Sequence, residues 1–154
     1  MKLYLARHGQ AASPEPGAAA SLTDQGKADL ALIGRELAHR KLGIEQIWHS
    51  PKTRTRQTAE IYAAILGVNS LNLIEKKELT IDGDIDLLHH EIMDNPVQNL
   101  LLVSHEPVLY DLSSFLGVNS EDLSSLVFPP SGVAAFEKGQ DWKWLWLLEP
   151  SVLR

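Results

Sequence analysis

The stretch Lys2-Leu3-Tyr4-Leu5-Ala6-Arg7-His8-Gly9 decides how the chain is read. A short apolar run ends abruptly in a guanidinium, an imidazole and a glycine. Leu3, Tyr4 and Leu5 have the length and composition of a strand, and Gly9 permits the sharp turn that lifts a side chain clear of a sheet edge. Arg7 and His8 then stand at the carboxyl end of a strand, where open α/β sheets place their ligands. One strand-end histidine carries little weight without partners elsewhere in the chain.

The rest of the sequence supplies them. Gln10 to Ser21, with Pro14, Pro16 and Gly17, reads as a loop. Thr23 is a good N-cap for a helix with Asp24 in its first turn, Leu30, Ile33 and Leu37 on one face, and Gly43 as its stop. Ile44 to His49 is a second strand, followed by a helix that opens on Ser50-Pro51 and stops at Gly67. Leu71 to Ile74 reads as a short third strand. Asp84 caps a helix that ends before Pro96.

Leu100 to Val103 is an unbroken apolar run, as expected of a central parallel strand covered on both faces, and it delivers Ser104-His105 to its end. Pro107 opens a helix stopped by Gly117, and Asn119 to Leu126 reads as a short helix. Val133 to Glu137 and Lys143 to Leu148 form a hairpin at the sheet edge, with Trp144 and Trp146 on one face of the last strand. Strands alternating with helices predict a three-layer α/β/α sandwich, its sheet mostly parallel with an antiparallel edge hairpin. Neither a repeat nor a linker divides the chain, so residues 1–154 are expected to form a single domain.

Composition narrows the function. Apolar residues make up 44% and charged residues 22% of the 154, as in soluble globular proteins. The absence of cysteine removes disulfides, thiolate zinc sites and a thiol nucleophile. The apolar run after Met1-Lys2 is too short for a signal peptide, and no segment is long enough to span a bilayer, which points to the cytoplasm and away from membranes. A net charge of -6 argues against nucleic acid as a partner.

A parallel sheet brings its strand carboxyl ends to one edge, so Arg7, His8, Arg54 and His105 are expected to converge there. Two guanidinium groups and two imidazoles suit a dianionic phosphoryl group: neutral imidazole can attack phosphorus, and guanidinium matches the equatorial oxygens during in-line transfer. Other polar residues read more blandly. His89-His90-Glu91 suggests a metal motif, but neighbouring helical positions lie about 100° apart and do not readily share one ion. Lys52 and Arg56 read as a solvated helix face, and Gln57 and Thr58 as residues that orient the helix.

Arg7-His8-Gly9, Leu22-Thr23 followed by Gly26, Ser50-Pro51 with Arg54, Gln57 and Thr58, and Val103-Ser104-His105 resemble, in order and over nearly the whole chain, the histidine phosphatase superfamily, also called phosphoglycerate mutase-like. The small size, Leu79-Thr80 followed by Gly83-Asp84, and His105-Glu106-Pro107 are similar to SixA-type phosphohistidine phosphatases. The resemblance implies a phosphoglycerate mutase-like fold and a metal-independent hydrolase without cofactor. It also implies that His8 is the nucleophile that becomes transiently phosphorylated, while Arg7, Arg54 and His105 bind the phosphoryl oxygens.

Two positions depart from that pattern: Ser21 stands where many SixA-type chains carry arginine, and Thr55 where alanine is common. Larger relatives take a general acid from an inserted segment for which this chain has little room. Glu78, Asp82 and Asp84 are candidate proton donors by position. Imidazole is a better leaving group than an alkoxide, so a weak acid is better tolerated with phosphohistidine, and an unlidded pocket admits a side chain on a folded protein. The expected substrate is phosphohistidine on a protein such as a histidine phosphotransfer domain. A small-molecule phosphomonoesterase is the enzyme alternative, and a non-catalytic phosphoprotein-binding module the alternative of another class. The sequence leaves the oligomeric state open.

Overall fold

The computed structural model describes residues 1–154. Eight strands and six α-helices alternate along the chain: β1 (Lys2–Arg7), β2 (Ala11–Ala12), β3 (Ser21–Leu22), α1 (Asp24–His39), β4 (Gln46–His49), α2 (Thr53–Leu66), β5 (Leu73–Glu75), α3 (Ile85–Asp94), β6 (Asn99–Ser104), α4 (Val108–Phe115), α5 (Ser120–Ser125), β7 (Val133–Lys138), β8 (Trp142–Leu148) and α6 (Pro150–Leu153). Six strands form one sheet in the order β5-β4-β6-β1-β7-β8. The first four are parallel, and β7 and β8 close the far edge as an antiparallel hairpin. This is the expected architecture.

The apolar run of β6 lies between β4 and β1 with Leu100, Leu101, Leu102 and Val103 fully buried. Alternate residues feed two cores. Leu100 and Leu102 pack with Leu88, Ile92, Leu109 and Leu112 of α3 and α4. Leu101 and Val103 pack with Leu30, Ile33, Ala59 and Tyr62 of α1 and α2. The sheet is therefore covered on both faces, which is why its strands lack a polar alternation.

Several local expectations are corrected. The stretch from Gln10 to Ser21 is not wholly loop, because β2 and β3 pair as a two-stranded antiparallel ribbon. Helix α1 ends at His39, short of Gly43, because Lys41 itself takes a positive φ of 53°. Helix α2 begins at Thr53 rather than at Pro51, with Lys52 in the cap position. The Ser50 hydroxyl is drawn inward onto Thr55 Oγ1 at 2.6 Å instead of serving as the cap. The segment from Leu71 is a 3-10 turn to Asn72, and the strand follows it.

Trp144 and Trp146 do not share a face. An irregularity between Ala135 and Phe136 pairs Phe136 with Trp144 and Ala135 with Trp146, leaving Leu145 as the extra residue. Trp144 accordingly packs on the α3/α4 core, and Trp146 on the α1/α2 core. The short α6, unforeseen in the sequence, carries Arg154 to Asp29 of α1 at 2.6 Å.

Candidate active site

Register places the two histidines side by side. In the β1/β6 pair Arg7 lies opposite Ser104, so the next residues, His8 and His105, leave the sheet together. The His8 amide still donates to Ser104 O at 3.1 Å, and Ser131 N donates to His8 O at 3.0 Å. The neighbouring strand β4 is held there by Ser50 N donating to Val103 O at 3.2 Å, and α2 brings Arg54 over the same edge.

The His8 ring has a defined tautomer. Its Nδ1 lies 2.7 Å from Gly9 O, and a carbonyl only accepts, so Nδ1 carries the proton. Nε2 is left with its lone pair, and Arg54 Nε donates to it at 3.2 Å. Burial, followed by Arg54, Arg7 and His105, pushes His8 down to about 4, although the Gly9 hydrogen bond acts in the opposite sense. The imidazole is thus neutral at physiological pH, with Nε2 available as a nucleophile.

His105 has the same character. Burial is the main force lowering its pKa, with Arg54, Lys52 and Arg7 adding to it against a hydrogen bond to the Glu106 backbone. Its Nε2 is buried without a protein partner, as is Arg7 Nε. Arg7 is anchored at its other end, where Nη1 donates to Phe128 O at 2.8 Å. Arg7, His8, Arg54 and His105, expected to converge, thus stand together at one sheet edge. Two guanidinium groups beside two imidazoles are chemically suited to an anion.

The remaining motif residues hold this frame. Thr58 Oγ1 accepts from Gly9 N at 3.1 Å and donates to Arg54 O at 2.8 Å, joining the His8 turn to α2. Gln57 Oε1 accepts from Leu22 N at 2.9 Å. Both act on the backbone, in keeping with their expected orienting role. At Gly26 the α1 backbone meets Gln10, where a Cβ would stand 2.3 Å from Gln10 O. That contact supplies a physical reason for the glycine after Leu22-Thr23. Arg56 points to solvent and pairs with Glu60 at 3.3 Å, as expected of a surface residue.

The expected proton donors sit in and after the 3-10 turn that follows β5, where Leu79 O accepts from Ser104 Oγ of β6 at 2.6 Å. Glu78 is 8% exposed in a 3-10 turn, Asp82 is exposed, and Asp84 Oδ1 accepts from Leu87 N as the α3 cap. They border a common cavity of about 460 Å³ that none of Arg7, His8, Arg54 and His105 lines. Glu106 entered the sequence reading only as part of the His105-Glu106-Pro107 motif, not as a candidate site residue. It borders a different cavity, of about 490 Å³, which Arg7 also lines. Only its place directly after His105 marked it. No group of three or more His, Cys, Asp or Glu side chains is placed to hold a metal ion, and the His89-His90-Glu91 run forms none.

The family model described as the histidine phosphatase superfamily (branch 1) matches residues 3–80, half of the chain. The chain belongs to the histidine phosphatase superfamily. It is a hydrolase of the phosphatase type. Over 100% of both chains it superimposes, with a TM-score of 0.87 and 27% identity, on the protein histidine phosphatase SixA complexed with tungstate. A SixA-type protein from Agrobacterium tumefaciens, described as a phosphohistidine phosphatase, matches over 97% of each chain at 25% identity and a TM-score of 0.83. An Escherichia coli protein described as an alpha-ribazole-5'-P phosphatase shares the fold at 18% identity and a TM-score of 0.76, over 97% of this chain and 98% of its own. No curated protein matches the chain significantly in sequence. No helix of this histidine phosphatase is long and apolar enough to cross a membrane.

Proposed function

We propose that this chain, acting as a single domain over residues 1–154, hydrolyses phosphohistidine on a cytoplasmic phosphoprotein such as a histidine phosphotransfer domain. The observation that carries this reading is the His8 ring: proton on Nδ1, lone pair on Nε2, and Arg54 Nε 3.2 Å from that lone pair. His8 Nε2 attacks phosphorus while Arg7, Arg54 and His105 hold the equatorial oxygens. The bond to the departing group breaks, and a phosphoryl-His8 intermediate forms. Water then attacks phosphorus, the P–Nε2 bond breaks, and phosphate is released. Similarity to SixA proteins described as histidine phosphatases supports a phosphorus–nitrogen substrate.

The test is to incubate the purified protein with a phosphohistidine-bearing phosphotransfer domain and, separately, with a panel of phosphate esters. Release of phosphate from the phosphoprotein is expected. Release from esters alone overturns the substrate assignment, and release from neither favours a binding module. His8→Ala is expected to keep its circular dichroism spectrum and lose turnover. An active His8→Ala protein overturns the nucleophile.

A further inference from the structure

We propose that Glu106 is the proton donor to the departing group, a role that rests on the phosphatase reading above. It follows His105 directly and lines, together with Arg7, a cavity of about 490 Å³. The two side chains share this cavity without closing an ion pair, so the carboxyl is not committed to the guanidinium. One carboxyl oxygen is fixed: Oε2 accepts from Tyr110 N at 3.2 Å in the first turn of α4. Oε1 has no hydrogen-bond partner in the protein.

The surroundings favour the acid form. Pro107, Leu123, Leu126 and Phe128 wall the cavity with apolar surface, suited to the flat ring of an imidazole. Burial raises the carboxyl above its ordinary value and Asp111 adds to this, against the Tyr110 hydrogen bond and Arg7, which lower it. A carboxyl whose pKa is raised by an apolar wall is better suited to give up a proton to a leaving group. Glu78, Asp82 and Asp84 border the cavity of about 460 Å³, which Arg7 does not line, and Glu78 also borders a small one with Val108 and Asp111 of α4.

The step balances as follows. His8 Nε2 forms a bond to phosphorus as the bond to the substrate ring nitrogen breaks. The electron pair of that broken bond goes to the ring, which takes the Glu106 proton and departs as neutral imidazole. Glu106 is left as a carboxylate, and in the second half-reaction it recovers a proton from the attacking water.

The test compares the wild-type protein with Glu106→Gln, whose amide oxygen can still accept from Tyr110 N, so that α4 keeps its first-turn contact. Single turnovers with enzyme in excess isolate the first half-reaction, on phosphoimidazole and on p-nitrophenyl phosphate, whose phenolate leaves without a proton. Imidazole release is expected to slow by about a hundredfold or more, and p-nitrophenolate release by less than about threefold. Equal losses on the two substrates, or unchanged imidazole release, overturn the proposal. A wild-type protein that cleaves p-nitrophenyl phosphate but not phosphoimidazole overturns the phosphorus–nitrogen reading instead. Glu106 is then decided by the same comparison between an alkyl phosphate and p-nitrophenyl phosphate, with the same two outcomes.

Discussion

Arg54 Nε lies 3.2 Å from His8 Nε2, so a guanidinium from α2 rests on the lone pair that the His8-Gly9 turn exposes. Burial does most to keep the ring unprotonated, the cation there adds to it, and the same cation would stand beside the phosphoryl oxygens that this nitrogen draws in.

Replacing Arg54 tests both consequences. Arg54→Ala is expected to lower kcat/KM by about 10²–10³-fold, the usual loss for one preorganised donor to a transition-state oxyanion. Arg54→Lys restores only part of it, because an ammonium lacks the planar fork. Steady-state kinetics on a phosphorylated substrate measures both, and an unchanged Arg54→Ala protein would refute the assignment.

The acid limb of the pH profile follows from His8. Protonation at Nε2 removes the nucleophile, so activity falls as pH drops through the His8 pKa. Burial, with Arg54, Arg7 and His105, places that at about 4 in the free protein. The kcat/KM limb is therefore expected near 4, well below the ~6.5 of an ordinary imidazole. Arg54→Ala removes one lowering influence and shifts the limb upward. A wild-type limb near the ordinary value would contradict the burial described.

Stability carries the same signature. Between about 6.5 and 4 the unfolded chain binds a proton at His8 that the folded chain refuses. The contribution is intact above about 6.5 and is lost as pH falls toward 4. His8→Asn is expected to flatten the decline of unfolding free energy over that window, though not to abolish it, because the His105 pKa is lowered too. Urea denaturation at several pH values checks the slope.

Thr58 joins the His8 turn to α2 through one hydroxyl. Thr58→Val keeps the shape but leaves the buried Gly9 N–H unpaired, which costs about 1–3 kcal/mol. Chemical denaturation reads that loss. A fall in kcat without a matching rise in KM would show that the turn, rather than substrate affinity, has been disturbed.

Gly26→Ala sets two effects against each other. Alanine favours a helix over glycine by about 1 kcal/mol. Its Cβ, however, would meet Gln10 O at 2.3 Å, a backbone atom that cannot swing aside. A net fall in Tm is expected, and a rise would mean that the His8-Gly9-Gln10 segment moves freely.

Some expectations failed where local cues met tertiary ones. Ser50-Pro51 has the pattern of a helix start, yet Ser50 turns inward to Thr55, a residue whose hydroxyl is fully buried and also lies 2.8 Å from Lys52 O. Strict alternation put Trp144 and Trp146 on one face, and a single extra residue at Leu145 moved them to opposite cores. A bulge has no clear mark in a run of tryptophans and leucines, because both faces of this strand are apolar.

The sequence by itself determined the layered α/β/α order, the apolar strands that end in Arg7-His8 and Ser104-His105, and the family to which those motifs belong. Their periodicity and turn residues are local properties, legible without coordinates. Only the tertiary structure decided the state of the His8 ring, because its tautomer depends on Gly9 O and Arg54 Nε, the second of these 46 positions away along the chain. It likewise parted Glu106 from Glu78, Asp82 and Asp84. Which carboxyl shares a cavity with Arg7 depends on how α4 and the segment through Phe128 pack against β1, and nothing in the spacing of acidic residues records it.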